Sequence, residues 1–228
     1  MNATTLPPDT ARRIAQSFLP ARWFGNRYYY YYSRAKLRSD PLYPGVVDAL
    51  RGTQAPLLDL GCGIGLLAHA LRASDIHVPY RGVDNDAPKI AGAKRGAAHA
   101  GLHDVQFDVV DLATGMPAHR GSVAILDVLQ FLSQEQQDAL LDAAIAALAP
   151  GSKLVIRTGL DDGSARARTT RRIDVLSNTL RWMNAAPKRY PVADELRARF
   201  DAAGLRSSFE PLYGNTPFNN WRVVATRD

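Results

Sequence analysis

The chain has 228 residues, of which 46% are hydrophobic and 22% charged, which is enough for one large α/β domain with a full core. Its single cysteine, Cys62, excludes an internal disulfide, and cysteine and histidine do not cluster at the spacing of zinc ligands. No run approaches the roughly 18 apolar residues of a membrane-spanning helix, and residues 1–10 lack the features of a signal or transit peptide. We therefore expect a cytoplasmic protein that is not integral to a membrane.

The net charge of +6 is unevenly distributed along the chain. Basic residues crowd two segments: Arg12, Arg13, Arg22, Arg27, Arg34, Lys36 and Arg38 near the start, and Arg166, Arg168, Arg171, Arg172, Arg181, Lys188 and Arg189 later. Such patches can attract nucleic acid, anionic lipid or an acidic protein, but they can equally be solvated helix faces. Charge alone does not choose among these partners.

The first fifty residues differ in pattern from the rest. Residues 11–37 predict a helical segment rich in aromatic side chains, and Pro41 and the Pro44-Gly45 pair are expected to interrupt regular structure after it. We therefore divide the chain into an N-terminal helical extension or lid, residues 1–50, and one domain over residues 51–228.

Short apolar runs then alternate with helical patterns. Predicted strands cover residues 56–60, 78–83, 105–110, 123–126 and 153–157, and predicted helices cover residues 64–72, 87–100 and 134–148. The near-continuous apolar character of the third and fourth strands indicates burial on both faces of a parallel sheet. This alternation predicts a doubly wound α/β fold, in which ligands bind beyond the carboxyl ends of the strands.

The tail has a different pattern. Helical material around residues 166–183 and a helix over 192–203 precede two strands, residues 205–212 and 220–226, joined by a turn-rich connector. A connector this short joins antiparallel neighbours, because a parallel crossover needs a dozen or more residues. The sequence therefore predicts a mostly parallel sheet that ends in an antiparallel hairpin.

A glycine loop comes directly after the first strand. In Asp59-Leu60-Gly61-Cys62-Gly63-Ile64-Gly65 the glycines let the backbone approach a ligand and turn tightly into a helix. The spacing G-x-G-x-G differs from the dinucleotide fingerprint G-x-G-x-x-G, since residue 66 is leucine. Asp59 could orient the loop, or accept from an ammonium group of the ligand directly or through water. The alternative is a tight turn that holds no ligand.

The second strand ends in Gly82-Val83-Asp84-Asn85-Asp86. A carboxylate at Asp84 can accept hydrogen bonds from both ribose hydroxyls of a nucleotide-like ligand. Asp86 instead precedes Ala87-Pro88 and fits the N-cap of the next helix. We assign Asp84 to the ligand and Asp86 to capping.

Acids come after the third and fourth strands as well. Asp111 is placed to accept from an adenine amine, while the backbone and Leu112 pack against the ring. Asp127 would face the pocket beneath a cofactor, and the apolar residues after it, including Phe131, can line the substrate side. Taken singly each acid could merely cap a turn, but such features at four successive strand ends seldom arise by chance.

These motifs together resemble those of class I S-adenosylmethionine-dependent methyltransferases. The similar stretches are residues 57–71, 82–86, 105–112, 125–132 and 148–151 with the strand after them, so that the resemblance covers residues 55–160. It implies a Rossmann-like, seven-stranded sheet with the last strand antiparallel, and S-adenosyl-L-methionine as the cofactor. The residues expected to bind this cofactor are Asp59, Gly61, Cys62, Gly63, Gly65, Asp84, Asn85, Asp111, Leu112, Asp127 and Val128.

Two flanking segments are similar to bacterial methyltransferases of aryl polyene and related pigment pathways. They are residues 32–37 with Asp40-Pro41-Leu42-Tyr43, and residues 214–221. This resemblance implies O-methylation of a small phenolic or polyene pigment precursor, which could be carried on an acyl carrier protein. Acyl carrier proteins are acidic, so the basic patches would suit such a partner.

A run of tyrosines, residues 28–32, invites a more specific hypothesis. On a helix Tyr28, Tyr31 and Tyr32 share one face, and their rings could form a lid over the cofactor or stack on an aromatic acceptor. Alternatively, this helix covers the sheet edge or makes a peripheral membrane contact alongside Trp23 and Phe24.

The sequence identifies no catalytic base and favours no metal site. Methyl transfer from a sulfonium is an in-line displacement, which positioning can accelerate without a catalytic triad. The five histidines, at positions 69, 77, 99, 103 and 119, fit surface or capping roles better than that of a base. Asp127 with Asp161-Asp162 could bind a cation through oxygens, but the Asp-Asn pair of magnesium-dependent enzymes of this fold is absent.

The leading hypothesis is therefore a methyltransferase acting on oxygen of a small aromatic molecule. The alternatives are methylation of another small molecule, a lipid or nucleic acid, a nicotinamide-dependent oxidoreductase, and a non-catalytic cofactor-binding scaffold. The glycine spacing disfavours the oxidoreductase. Nucleic acid is disfavoured as a substrate because Asp127 is not followed by the Pro-Pro-aromatic signature of amino-methylases.

Overall fold

One seven-stranded sheet forms the centre of the described residues, which are 5–22, 24–161, 188–214 and 219–228 of this computed structural model. The strand order is β3-β2-β1-β4-β5-β7-β6. The first five strands are parallel, whereas β7 runs antiparallel to both β5 and β6. The strands are β1 Leu57–Leu60, β2 Tyr80–Asp84, β3 Val105–Val109, β4 Ser122–Leu126, β5 Lys153–Gly159, β6 Arg206–Pro211 and β7 Asn220–Thr226. The predicted doubly wound, mostly parallel sheet with a C-terminal antiparallel hairpin is confirmed.

Helices flank this sheet, and two of them begin at the caps that their sequences favour. Asp86 accepts from the backbone N–H of Lys89 at 3.0 Å, as expected of an N-cap, and Ser133 forms a capping box with Gln136. The helix predicted around residues 166–183 lies outside the described residues. The described helices are α1 Pro8–Gln16, α2 Tyr28–Ser39, α3 Leu42–Leu50, α4 Leu66–Arg72, α5 Ala87–His99, α6 Gln134–Ala147 and α7 Ala193–Ala202, with a 3₁₀ turn at Leu129–Phe131.

The N-terminal extension departs from its prediction. The helical segment expected over residues 11–37 is interrupted by a connector, residues 17–27, which contains Pro20. Conversely, α3 runs through the Pro44-Gly45 pair that was expected to interrupt regular structure. Pro44 is tolerated because it lies in the first helical turn, where its missing N–H needs no partner within the helix.

The strand β3 also differs from expectation. It is an edge strand, and Val109 exposes 54% of its surface, so it is not buried on both faces. The strand β4 lies at the centre between β1 and β5, and its first four residues are buried. Continuous apolar character therefore identified the strands correctly but did not reveal which of them lies at the edge of the sheet.

Hydrophobic clusters cover both faces of the sheet, and the N-terminal helices belong to one of them. Leu6, Ile14, Leu37 and Val46 are buried in the same cluster as the side chains of α4 and α5. The other cluster contains α6, α7 and the second face of β4 and β5. Among the described residues, no helix is both long and apolar enough to cross a membrane. The extension is thus packed onto the domain, with α2 beside the carboxyl ends of the strands.

Candidate active site

The loop after β1 is held in a conformation that favours glycine. Gly61, Gly63 and Gly65 have φ values of +77°, +56° and +77°, which lie in the left-handed region. The N–H groups of Gly61 and Cys62 both donate to the carbonyl oxygen of Val83, at 2.8 and 2.9 Å. These bonds fasten the start of the loop to the end of β2.

The space around the three glycines shows where a ligand can approach. A Cβ atom on Gly61 would lie 2.3 Å from Val128 Cγ2, and one on Gly65 would lie 2.6 Å from Phe107 Cε1. A Cβ on Gly63 would meet nothing within 4 Å. The loop is therefore packed at both ends and open in the middle, at Gly63.

Asp84 contacts this open part of the loop. Its Oδ2 accepts from the N–H of Gly63 at 2.9 Å, and its Oδ1 accepts from the N–H of Asp86 at 3.0 Å. Each carboxylate oxygen has a second lone pair, so Asp84 can still accept from two further donors. Asn85, between the two acids, is exposed. The carboxylate is thus fixed beside the opening with acceptor capacity to spare.

Asp59 is buried within β1, next to Gly82 on one side and Ala124 on the other. The hydroxyl of Tyr80 donates to Asp59 Oδ2 at 2.5 Å, while Oδ1 is buried and has no hydrogen-bond partner. Burial raises the pKa of this carboxyl to about 7, against the hydrogen bond from Tyr80, which lowers it. Oδ1 is the oxygen left for a ligand ammonium or for a water.

Asp111 is exposed, and much of its bonding is local. Its Oδ1 accepts from the N–H of Ala113 at 2.9 Å, and its carbonyl accepts from the hydroxyl of Thr114 at 2.7 Å. The neighbouring Leu112 is half-buried against the cluster on the α6 face. The turn thus holds Asp111 outward while keeping its second carboxylate oxygen available.

Asp127 belongs to a group of four charged side chains that we call the charge cluster: Lys36, Asp40, Asp127 and Arg157. Arg157 Nη1 donates to Asp127, and its Nη2 lies 3.2 Å from both oxygens of Asp40. Lys36 Nζ lies 2.6 Å from Asp40 Oδ2 and 3.7 Å from Asp127 Oδ2. Asp127 itself has a φ of +59°, a costly conformation for a residue with a side chain. The cluster joins α2 to the ends of β4 and β5.

Opposite charges in the cluster shift the pKa values of Arg157, Lys36 and Asp40 towards their ionised forms. Burial lowers the pKa of Arg157 and of Lys36, but Asp127 and Asp40 raise both values further, so the net change is upward. Burial raises the pKa of Asp40, yet Arg157 and Lys36 bring it below its ordinary value. Lys36 is therefore a firmly protonated ammonium group at neutral pH.

Lys36, Asp40 and Arg157 were not predicted as site residues from the sequence. One signal was present, because Arg157 ends the apolar run Leu154-Val155-Ile156 in a buried strand. A buried arginine requires acidic partners. Asp127 could be proposed as one of them, but nothing local pointed to Asp40, which lies 117 residues away in the chain.

The tyrosine rings of α2 contact one another in pairs. Tyr28 and Tyr32 stack with ring centroids 6.1 Å apart, and Tyr32 interacts electrostatically with Lys36 and Asp127. Tyr31 instead meets the edge of Tyr30, with centroids 5.0 Å apart. The structure thus pairs Tyr28 with Tyr32 and Tyr31 with Tyr30, and the lid of Tyr28, Tyr31 and Tyr32 stays a prediction.

Two more expected roles can be compared with the structure. Phe131 is half-buried in the 3₁₀ turn that comes after Asp127. His69, expected at the surface or at a helix cap, is instead only 3% exposed in α4 against Phe18, and burial lowers its pKa to about 4. His69 is therefore a neutral core residue on the helix after the glycine loop.

The described residues contain no group of three or more histidine, cysteine or acidic side chains that could hold a metal ion. Asp162 of the pair considered for a cation lies outside the described residues. Asp127, the other acid considered, already contacts the guanidinium of Arg157. Positive charge at this carboxylate is thus supplied by the chain itself.

A family model described as a methyltransferase domain matches residues 53–181, which is more than half of the chain. The chain belongs to this methyltransferase family. It is an S-adenosylmethionine-dependent methyltransferase with the class I fold, and S-adenosylmethionine is its cofactor. A comparison with curated proteins gives no match.

Solved structures of methyltransferases share the fold of this chain. Magnesium protoporphyrin IX methyltransferase from Synechocystis PCC 6803, solved with bound S-adenosylhomocysteine, has a TM-score of 0.62 at 17% identity, over 95% of this chain and 93% of that one. An O-methyltransferase family protein from Burkholderia thailandensis has a TM-score of 0.63 at 17% identity, over 82% and 57%. Mitomycin 7-O-methyltransferase has a TM-score of 0.60 at 22% identity, over 80% and 52%. The chain thus spans about half the length of these last two proteins.

The residues present fit the cofactor of this methyltransferase. The open backbone at Gly63, the spare acceptor capacity of Asp84 and the unpartnered Oδ1 of Asp59 lie along the ends of β1 and β2. We expect Asp84 to hold the ribose, Asp111 and Leu112 the adenine, and Asp59 the methionine ammonium. Cys62 belongs to the glycine loop, and its backbone N–H donates to Val83. The side chain of Val128 packs against Gly61 at the start of the same loop.

Proposed function

We propose that the protein methylates the oxygen of a small phenolic acceptor, and more specifically of an aryl polyene pigment precursor. The observation that carries this proposal is the stacked pair Tyr28 and Tyr32, which remain 64% and 41% exposed beside the charge cluster. Exposed aromatic faces favour a flat aromatic partner. They lie on α2, next to the ends of β4 and β5, where the acceptor of a class I methyltransferase is expected.

The charge beside these rings suits a phenol in particular. When bound, S-adenosylmethionine supplies a methyl group activated by its positively charged sulfur. The phenol oxygen is a stronger nucleophile once its proton has left. A nearby ammonium lowers the pKa of a phenol, as Lys36 does at Tyr32, although burial and Asp127 raise the pKa of Tyr32 more. Lys36 is such an ammonium, since Asp127 and Asp40 keep it protonated. In this proposal Lys36 stabilises the phenolate, and the proton passes to solvent.

Two further points support an oxygen acceptor and its delivery. Similar structures include mitomycin 7-O-methyltransferase and an O-methyltransferase family protein, although at low identity. The segments around residues 32–43 and 214–221 resemble pigment-pathway methyltransferases. We also propose that the acceptor can arrive as a phenolic acyl thioester on an acyl carrier protein, whose acidic surface would suit the basic chain.

The test is a direct assay with purified protein and S-adenosylmethionine. Hydroxycinnamic acid, its pantetheine thioester and its thioester on an acyl carrier protein are offered in parallel with the matching aniline and thiophenol. We expect the phenols to gain a methyl group on oxygen, detected by mass spectrometry. Turnover of the aniline or thiophenol with none of the phenols would overturn the proposal.

The tyrosine pair provides a second, independent readout. Replacing Tyr28 and Tyr32 with leucine removes the stacking surface, so we expect kcat/KM for the phenol to fall about tenfold. The matched control is Tyr31→Leu, which changes an equally aromatic residue of the same helix that contacts Tyr30 instead. Equal losses in the two variants would show that acceptor binding does not depend on the Tyr28–Tyr32 pair.

A further inference from the structure

The helix α2 presents three different faces. Tyr29, Ser33 and Leu37 point towards the domain, with Ser33 and Leu37 fully buried. Tyr28, Tyr32 and Lys36 follow one another at intervals of four along the face beside the charge cluster. The N-cap Arg27 and the helical residues Tyr31, Arg34 and Arg38 follow one another at intervals of three or four, which places them on one side that we call the outer face of α2. All four of these residues are exposed.

The connector that precedes α2 also exposes basic and apolar side chains. Phe24 exposes 72% of its surface, Leu19 exposes 36%, and Arg22 is exposed as well. Between residues 10 and 39 the sequence contains no aspartate or glutamate. Within the described part of the chain, Arg22, Arg34 and Arg38 form no salt bridge. Exposed arginines and large apolar side chains therefore follow one another along residues 19–38, a stretch without acidic residues.

We infer that the outer face of α2, together with Arg22 and Phe24, docks on the surface of an anionic phospholipid membrane. Arginines attract acidic headgroups, while exposed aromatic and aliphatic side chains insert at the boundary with the acyl chains. Tyrosine suits the same boundary because its ring is apolar and its hydroxyl is polar. Such docking would hold the protein at a bilayer without a spanning helix.

A lipid surface fits this face better than an acidic protein does. The arginines alone would be enough to attract an acidic carrier protein. Such attraction does not explain why Phe24 exposes 72% of its surface, whereas insertion into a bilayer does. Docking would also bring the neighbouring face of α2, which carries Tyr28, Tyr32 and Lys36, close to the membrane. An apolar acceptor dissolved in the bilayer could then reach the site without crossing water. This last point rests on the proposed function, whereas the docking itself does not.

The experiment measures sedimentation of the full chain with vesicles of phosphatidylcholine, with and without phosphatidylglycerol. We expect binding to the vesicles that contain phosphatidylglycerol and little binding to phosphatidylcholine alone. The double variant Arg34→Glu/Arg38→Glu should reduce the partition coefficient about tenfold or more, because each arginine contributes to attraction. Phe24→Ser should reduce it as well, even at high salt, where charge attraction is screened.

The matched control is Lys94→Glu/Arg95→Glu, which changes the net charge equally at exposed positions of α5. Titration with S-adenosylhomocysteine confirms that each variant is folded, and it also separates this inference from the proposed function. The inference is overturned if phosphatidylglycerol vesicles do not bind, or if the control variant loses as much binding as Arg34→Glu/Arg38→Glu. Binding only to a purified acyl carrier protein, lost in the Arg34→Glu/Arg38→Glu variant, would overturn it in favour of a protein partner.

Discussion

The two sides of the active-site edge are built by different means. The side at β1 and β2 is formed by backbone, with glycines of positive φ and N–H groups bound to Val83 and Asp84. The side at β4 and β5 is formed by side-chain charges, and Arg157 reaches Asp40 across 117 residues of sequence. Cofactor binding thus uses a local motif, whereas the proposed acceptor side depends on a long-range arrangement.

The two sides should therefore tolerate change differently. A backbone-built loop survives changes in most side chains as long as its glycines remain. A buried charge cluster depends on every member, because the removal of one charge leaves the others buried without compensation. Substitutions at β4 and β5 should accordingly act mainly on stability, and those in the glycine loop mainly on cofactor affinity.

The largest effect is expected for Arg157→Met. The variant leaves Asp40 and Asp127 without the buried guanidinium that contacts both, and we expect the free energy of unfolding to fall by about 3–5 kcal/mol. Urea denaturation measures this change. The matched control is Arg206→Met, whose partner is the exposed Asp228, and it should cost at most about 1 kcal/mol. Similar losses in the two variants would contradict the role given to the charge cluster.

Asp59 should make the β1 side sensitive to pH. Its pKa is raised to about 7 by burial, so the folded state binds a proton that the unfolded state releases near pH 4. The contribution of Asp59 to the free energy of unfolding should therefore be fully present below about pH 4 and be lost as the pH rises to about 7, by as much as about 4 kcal/mol. Asp40, whose pKa is lowered, contributes in the opposite direction at low pH.

Urea titrations over this pH range measure the dependence. Asp59→Asn should flatten the curve relative to the natural chain, because it removes the titrating group. The control is Asp111→Asn, which makes the same change of carboxyl to amide at an exposed position, and its curve is compared with that of Asp59→Asn. An Asp59→Asn curve that follows the natural one would show that Asp59 ionises normally in the folded protein.

Gly63→Ala tests the open part of the glycine loop. The new Cβ would enter the space from which the cofactor approaches, so we expect the affinity for S-adenosylhomocysteine to fall about tenfold by calorimetry. Gly52→Ala is the control, since Gly52 also has a positive φ and open surroundings but lies before β1. Both variants should lose about 1 kcal/mol of stability through backbone strain. Unchanged affinity in Gly63→Ala would exclude approach at this glycine.

The smallest effect concerns the two acids after β2. Asp86→Ala removes an N-cap and should cost about 1 kcal/mol of stability while leaving the affinity for S-adenosylhomocysteine nearly unchanged. Asp84→Asn should instead weaken that affinity, because the carboxylate oxygens are the expected ribose acceptors. Calorimetry measures the affinity and urea denaturation the stability of both variants. A loss of affinity in Asp86→Ala but not in Asp84→Asn would contradict the assignment.

The fold and the cofactor side could be predicted because their signals are local. The alternation of short apolar runs with helical patterns indicated the sheet, and the short connector between the last two strands indicated the hairpin. The spacing of the glycines indicated the loop after β1. The edge position of β3 could not be predicted, since its apolar pattern does not depend on which strands lie beside it. The assignments of Asp84 and Asp111 to ribose and adenine remain predictions.

Neither the charge cluster nor the direction in which each tyrosine of α2 points could be predicted from local sequence. The ion pair between Arg157 and Asp40 exists only after α2 has packed beside β5, which no short stretch of sequence records. The tyrosine run indicated the helix, but the start of α2 at Tyr28 and its tilt decide which ring faces which neighbour. Both features are products of tertiary packing.

The three faces of α2 also limit how the length of this helix can change. Each residue turns an α-helix by about 100°, so one residue inserted after Tyr30 would rotate every later side chain by that angle. The arginine at position 34 would then move away from the outer face, and Leu37 would leave the core. Substitutions on α2 can be accommodated one by one, whereas a single insertion or deletion would exchange core, site and surface together. We expect the spacing between Tyr28 and Asp40 to be the least variable dimension of the N-terminal extension.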